Sequence, residues 1–179
     1  MALDECHNVE RQVIRFVDLK ISEAELEKFA PTVGAGDIPN FQNLEELLSW
    51  TERVYIREAI ARLEALKELG DGVGGETFAK DAFDLDQHIC KTNRAIKDAK
   101  DNPKQWIFWI DELQDNKREF IARPLHAAPF MTEMVDEGAS LRVYTSAYPG
   151  EKVTFCRALG LDPVKTPMCK LKSDFDPNN

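Results

Sequence analysis

The first residues of the chain combine two adjacent carboxylates with a histidine, a set of groups suited to phosphate chemistry. This segment consists of Asp4, Glu5, Cys6, His7 and Asn8. It follows the short apolar run of residues 1–3, which is typical of the end of a strand. One carboxylate of such a pair can hold Mg²⁺ on the phosphates of a nucleotide, and the other can orient or deprotonate an attacking water. His7 then stands where it could sense the nucleotide. A short acidic run before a helix is also typical of simple N-terminal capping charge.

A second polar segment lies far down the chain, again at the end of a predicted strand. The pattern over 140–147 predicts a strand that ends in Thr145, Ser146 and Ala147. A turn and a helix over 150–159 follow, and Gly160 is a stop signal for that helix.

Apolar spacing predicts two long helices between these segments. Apolar residues recur at helical spacing over 41–69 and over about 77–100, with Gly70 as the stop signal between them. We expect an antiparallel helical hairpin. Shorter helices are predicted over 9–20, from Ser22 to the residue before Pro31, and over 125–137.

The second long helix and the residues after it carry a series of cations: Lys91, Arg94, Lys97, Lys100 and Lys104. Such a series is typical of a solvated helix face. The alternative is a stripe of cations that follows the phosphates of single-stranded DNA.

An aromatic β-hairpin is predicted after Pro103. Its strands are residues 106–110 and 119–123, and Pro124 closes it. Trp106, Phe108 and Trp109 could stack on bases, whereas packing in the core and across strands is the commoner role of aromatic residues in a strand.

Composition indicates an ordinary soluble globular protein. The chain has 179 residues, of which 43% are hydrophobic and 31% charged, enough for one sizeable core or one domain with pieces of another. The net charge of −9 argues against a protein that simply coats nucleic acid. Residues 1–88 hold 9 Lys and Arg against 19 Asp and Glu, whereas residues 89–179 hold 14 against 13. We therefore expect any phosphate contact in the second half.

Location and cysteine chemistry follow from what the sequence lacks. No apolar run approaches the roughly 18 residues of a membrane span, so a cytoplasmic protein without membrane contact is expected. The four cysteines are widely scattered and form no ligand pair with the histidines. Reduced thiols are expected, and no iron–sulfur cluster is assigned to these residues.

Four segments, in the order in which they occur along the chain, resemble motifs of the XPD/DinG family of ATP-dependent DNA helicases. The first segment resembles the DEAH box, with cysteine in the alanine position, and Thr145 to Ala147 resemble motif III. The residues 123–129 and 171–176 resemble the return to the first motor domain and the entry to the second. The chain would then run from the DEAH box, through the inserted Arch domain that encloses translocating single-stranded DNA, to just past motif III.

This resemblance implies roles for individual residues. Asp4 would bind Mg²⁺ through water, and Glu5 would be the catalytic base. His7, Thr145 and Ser146 would couple the nucleotide state to the grip on DNA. The partners would be single-stranded DNA and the remaining helicase motor domains, with ATP and Mg²⁺ bound in the parent enzyme.

Departures from the family pattern limit what this chain does alone. It contains no GxxxxGK[ST] phosphate-binding loop, and Tyr148 stands where motif III usually has threonine. The family's iron–sulfur cluster lies upstream of the DEAH box. We expect an excised or truncated internal segment that does not hydrolyse ATP by itself.

The expected fold is mainly α with a minor β part (α+β). Residues 1–20 would belong to a RecA-like motor domain, 21–123 to an Arch-like lobe (helical hairpin about 41–100, β-hairpin about 106–123), and 124–179 to the motor again. Two other functions remain open. One is a stand-alone helical protein-interaction module, and the other is a small metal-dependent phosphohydrolase built on Asp4 and Glu5.

Overall fold

Helices alternate with short strands along the chain in the computed structural model, which describes residues 2–3, 8–70, 76–113, 117–131, 143–145 and 150–169. Mainly helical content with one small antiparallel sheet confirms the α+β prediction. The chain divides into two compact units, one of Met1–Val13 with His126–Asn179 and the other of Ile14–Leu125. The second unit is continuous in sequence and is inserted into the first.

The inserted unit contains a three-stranded sheet in the order β2 (Leu19–Ile21), β4 (Arg118–Pro124), β3 (Trp106–Glu112), with every pair antiparallel. The register runs from Trp106 opposite Pro124 to Glu112 opposite Arg118, which confirms the predicted β-hairpin. Phe120 of β4 is buried and meets the buried Phe41 edge-on, with ring centroids 4.8 Å apart. One face of the sheet therefore belongs to the core of this unit.

The first half of the helical hairpin is one continuous helix with an irregular turn. Helix α3 (Leu44–Trp50) begins where the Asn43 side chain accepts a hydrogen bond from the Glu46 amide at 2.9 Å. A π-helical segment (Thr51–Tyr55) follows and leads into α4 (Ile56–Gly70). Thr51 and Tyr55, the first and last residues of the π-helical segment, are both fully buried.

The second half of the hairpin is α5 (Glu76–Asp101), which packs against α4. The two helices bury apolar residues against each other, among them Ala59, Leu63 and Leu66 of α4 and Ala82, Leu85 and Ile89 of α5. The predicted hairpin is confirmed.

The residues before the hairpin differ in part from the prediction. A single helix over 9–20 was expected, but α1 ends at Val17 (Val9–Val17), and Leu19–Ile21 form β2, which pairs with β4. Leu19 and Ile21 alternate with Lys20 and are buried in the sheet, which a helix there would prevent. Helix α2 (Glu23–Phe29) begins as predicted, with the Ser22 hydroxyl accepting from the Glu25 amide.

The other unit contains the parallel pair β1 (Ala2–Leu3) and β5 (Val143–Tyr144), together with α6 (Ala128–Met131) and α7 (Lys152–Ala158). Helix α6 starts three residues later than the helix expected over 125–137, and residues 132–137 lie outside the described part of the chain. Helix α7 ends at Ala158, and Gly160 just after it has a φ of 68°, a left-handed conformation that suits glycine.

Candidate functional site

The pairing of β1 with β5 decides where the two polar segments leave the sheet. The strands are parallel, with Ala2 opposite Val143 and Leu3 opposite Tyr144. Asp4 is the next residue after Leu3, and Thr145 is the next after Tyr144. Because parallel strands have their carboxyl ends at the same edge, the two strands end together at Leu3 and Tyr144. Open α/β sheets bind ligands at this edge.

Five of the predicted site residues lie outside the described part of the chain: Asp4, Glu5, His7, Ser146 and Ala147. Thr145 is described and exposed. The strand before Thr145 packs against α7, because the rings of Tyr144 and Phe155 meet edge-on with their centroids 6.3 Å apart. Gly160 sits close behind α7, where an added Cβ would lie 3.0 Å from the carbonyl oxygen of Ala128.

The cations of α5 do not form one stripe. Lys91 and Lys100 are nine residues apart, about two and a half helical turns, and so project from opposite sides of the helix. Lys100 Nζ lies 2.6 Å from a carboxylate oxygen of Glu52. Lys97 and Lys104 are exposed, and the ion pairs recorded among the described residues do not include them. Arg94 is half-buried.

Lys91 belongs to a cluster of three charged side chains, here named the Asp18 cluster, which consists of Asp18, Lys91 and Arg123. Asp18 lies between α1 and β2 and is 4% exposed. Its carboxylate accepts a hydrogen bond from Arg123 of β4 at 2.9 Å and lies 3.9 Å from Lys91 Nζ. A buried carboxylate needs such partners, because an isolated buried charge is costly. The cluster therefore joins α5, β4 and the connection between α1 and β2.

Both cations of the Asp18 cluster also lie over aromatic rings. Lys91 Nζ is 5.4 Å from the ring centre of Phe16, and the Arg123 guanidinium is 5.1 Å from that of Trp109. Arg123 Nε is buried and has no hydrogen-bond partner among the described residues. Burial lowers the pKa of Lys91, while the Asp18 charge opposes that shift.

A neutral pair, Tyr55 and His88, joins the two long helices. The Tyr55 hydroxyl and His88 Nε2 are 2.8 Å apart, and the imidazole stacks on Phe29 with centroids 3.8 Å apart. Thr92 donates to the His88 carbonyl at 2.8 Å. Burial, and then the charges of Lys91 and Lys28, lower the pKa of His88 to about 4. Burial also raises the pKa of Tyr55, so both side chains are neutral near pH 7.

Glu25 is a further half-buried carboxyl in this unit. Its Oε2 has no hydrogen-bond partner among the described residues. Burial is the largest cause that raises its pKa, and the charges of Lys28 and Lys91 act against the rise. Groups with shifted pKa values often mark functional sites, although structural networks shift them too. Here the neighbouring charged and polar groups contact one another, as Asp18 does Lys91 and Arg123 and as Tyr55 does His88, which indicates a structural network.

The hairpin aromatics divide between core and surface. Trp106 is buried, and its indole N–H donates to Asp98 at 2.8 Å. Phe108 and Trp109 are half-buried, and the Trp109 indole N–H donates to Asp111 at 3.0 Å. Core packing therefore accounts for Trp106, while the other two rings keep some exposed surface.

Sequence reasoning did not identify the Asp18 cluster or the Tyr55–His88 pair. Asp18 and Arg123 are 105 positions apart, and Tyr55 and His88 are 33 apart. No motif joins them. The one local signal was Thr51 within an otherwise apolar stripe, and it marks the π-helical segment next to Tyr55.

Comparison with protein families, with curated proteins and with solved structures finds no match for this chain. Among the described residues, no three His, Cys, Asp or Glu side chains come together as metal ligands. The helices in that part of the chain include none that is both long and apolar enough to cross a membrane.

Proposed function

We propose that the chain is a segment of an ATP-dependent DNA helicase of the XPD/DinG type. The inserted unit would be an Arch-like lobe that helps to enclose and guide single-stranded DNA. The parent enzyme would couple ATP hydrolysis to the unwinding of duplex DNA, in the cytoplasm or wherever its DNA is held.

The parallel pairing of β1 with β5 carries the proposal. The resemblance implies that the DEAH box and motif III lie beside each other in the motor domain. The paired strands end at Leu3 and Tyr144 on one sheet edge, and in the sequence Asp4 follows Leu3 and Thr145 follows Tyr144. The two strands are about 140 residues apart in sequence, so chain proximity alone does not account for their pairing.

The division of the chain gives a second support. The unit Ile14–Leu125 is one continuous insertion between the two polar segments, and it holds both the helical and the β-hairpin. A helical lobe with a small β element is what the resemblance implies in this place. The remaining motor domains would be the partners of the unit that contains β1 and β5.

ATP and Mg²⁺ fit this assignment by the type of donor present. Carboxylate oxygens such as those of Asp4 and Glu5 are the ligands Mg²⁺ prefers, and they follow directly on a strand end. Bound Mg²⁺ would neutralise phosphate charge. Asp4 would supply a ligand through water, and Glu5 would accept the proton of the attacking water. The chain has no phosphate-binding loop, so we expect no ATP hydrolysis by the chain alone.

DNA contacts of the lobe are assigned first to Lys97 and Lys104. Both are exposed and take part in none of the ion pairs of the described residues. Lys91 and Lys100 already neutralise carboxylates, and Arg94 is half-buried. An exposed cation without a protein counter-charge has the most to gain from a phosphate, because it gives up no existing ion pair.

Fluorescence anisotropy with a labelled single-stranded oligonucleotide tests the proposal. We expect weak binding that prefers single strands over a duplex and that weakens as salt rises, with the slope of log affinity against log salt set by the number of phosphates contacted. The variants Lys97→Glu and Lys104→Glu should each weaken binding several-fold and lower the salt slope by about one phosphate contact.

Lys80→Glu is the matched control, because Lys80 is an exposed lysine on the same helix as Lys97 but outside the cation series. It makes the same change of net charge. Equal weakening by all three variants would show a diffuse charge effect and would contradict the assigned contacts. No binding at low salt would contradict the DNA-enclosing role.

A protein-interaction module is the second candidate, and one observation favours it. A shallow groove of about 600 Å³ lies along α3 and the π-helical segment. Phe41, Trp50 and Val54 line it, together with the charged residues Glu45, Glu46 and Arg53. Aromatic residues are enriched at the centre of protein interfaces, and charged residues are common at the rim. Loss of association with a partner on Trp50→Ala, with DNA binding absent, would support this candidate.

A further inference from the structure

The strand at the outer edge of the small sheet has a partner on one side only among the described strands, and it has an exposed apolar surface. Strand β3 is seven residues long and pairs with β4 alone among the described strands. Ile107 and Ile110 on it are 43% and 37% exposed. Long apolar edge strands are templates for pairing with another chain, and natural proteins commonly cover or interrupt them.

The hydrogen bonds of the β-hairpin show which backbone groups face this edge. Leu113 N donates to Lys117 O, and Leu125 N donates to Gln105 O, so odd-numbered residues of β3 exchange hydrogen bonds with β4. Hydrogen-bonded and non-bonded pairs alternate along an antiparallel ladder. Phe108, Ile110 and Glu112 therefore direct their N–H and C=O groups outward. Trp106 directs its C=O outward, while its N–H bonds Pro103.

We propose that β3 pairs antiparallel with β3 of a second copy of this chain, centred on Phe108. Phe108 would exchange two hydrogen bonds with Phe108 of the second copy. Ile110 N–H would donate to Trp106 C=O, twice by symmetry. The result is a twofold-symmetric, continuous six-stranded sheet.

Side-chain complementarity selects this register. It places Ile107 opposite Trp109 of the second copy, a β-branched and aromatic pair that stabilises sheets. It also brings Lys104, just before the strand, to the end where Glu112 of the second copy lies, and both residues are exposed. Moving the centre by one residue towards the C-terminus places Ile107 opposite Asp111. Moving it by two in that direction places Phe108 opposite Glu112 and Trp109 opposite Asp111. Both of these shifts set apolar side chains against carboxylates, and a shift by one towards the N-terminus leaves only residues 106–108 of the two strands opposite each other.

The size of the contact predicts a weak dimer. One strand of seven residues is about 23 Å long, at about 3.3 Å per residue. A single edge of this length buries less surface than a stable interface, so we expect a dissociation constant between about 1 μM and about 1 mM. Sedimentation equilibrium of the full chain across that range should show the mass rise from monomer to dimer.

Phe108→Pro tests the edge without removing a hydrogen bond of the hairpin, because the Phe108 N–H faces outward. It should weaken dimerisation at least about tenfold, since two symmetric hydrogen bonds are lost. Phe108→Val keeps the N–H and is the matched control, with circular dichroism as the check that both variants fold.

Charge exchange gives a second test that leaves the strand intact. Lys104→Glu and Glu112→Lys should each weaken the dimer about threefold or more at low salt, and the double variant should restore it. A chain that stays monomeric over the whole range would overturn the proposal. So would a dimer that is unchanged by Phe108→Pro and by both single charge variants.

Discussion

The pKa of His88 predicts how the stability of the inserted unit depends on pH. The imidazole is largely buried against Phe29 and bonded to Tyr55, and its pKa falls from an ordinary 6.5 to about 4. The folded chain therefore holds His88 neutral at a pH where the unfolded chain binds a proton. Protons bound only by the unfolded state favour unfolding, so stability contributed by His88 is complete above pH 6.5 and falls as the pH drops towards 4.

The magnitude follows from the shift. At about pH 5 the unfolded imidazole is almost fully protonated and the folded one is not, which corresponds to about 2 kcal/mol of lost stability. Part of the ring remains accessible to water, and the screening that this allows reduces the expected loss to about 1–2 kcal/mol. Urea unfolding at about pH 7 and about pH 5 measures the loss directly.

The variant His88→Gln isolates this effect because glutamine cannot titrate. Other groups contribute in both proteins and cancel in the comparison. Glu25 is one of them, and its raised pKa acts in the opposite direction, because the folded state then binds the proton more tightly as the pH falls. The wild type should lose about 1–2 kcal/mol more than His88→Gln between the two pH values. Equal losses would refute the reasoning.

Two further predictions concern stability. Asp18→Asn should lower the free energy of unfolding by about 2–4 kcal/mol, because it removes the buried negative charge that Arg123 and Lys91 contact. Lys100→Ala breaks an exposed ion pair and should lower it by less than about 1 kcal/mol. Similar losses for the two variants in urea unfolding would contradict this. Gly160→Ala should cost about 2–3 kcal/mol and Gly150→Ala about 1 kcal/mol, since both have φ near 70° but a Cβ meets a backbone oxygen at 3.0 Å only at Gly160. Thermal unfolding of the two variants measures the difference, and an equal effect would show that the contact with Ala128 is unimportant.

The elements that the sequence predicts well are those with local, repeated patterns. The two long helices extend over many turns, so their apolar stripes and the stop at Gly70 place them within a few residues. The β-hairpin is marked by aromatic residues and by Pro124. Strand β2 has three residues, too few for a pattern of period two to stand out from the helix before it.

The arrangement of charges could not be predicted from spacing alone. A spacing of three residues looks regular in sequence, yet it rotates around a helix, so the cations of α5 face different neighbours. Lys91 contacts Asp18, which directly precedes β2, whereas Lys100 contacts Glu52 on the π-helical segment. Only the packing of the elements decides which cations are left for a ligand.

The function we propose depends on the acidic segment and Thr145 leaving neighbouring parallel strands. Nuclear Overhauser effects between the backbones of β1 and β5 test this most directly. The account predicts parallel-strand contacts that join Ala2 to Val143 and Leu3 to Tyr144. Their absence, or an antiparallel pattern, would separate the two segments and contradict the helicase assignment.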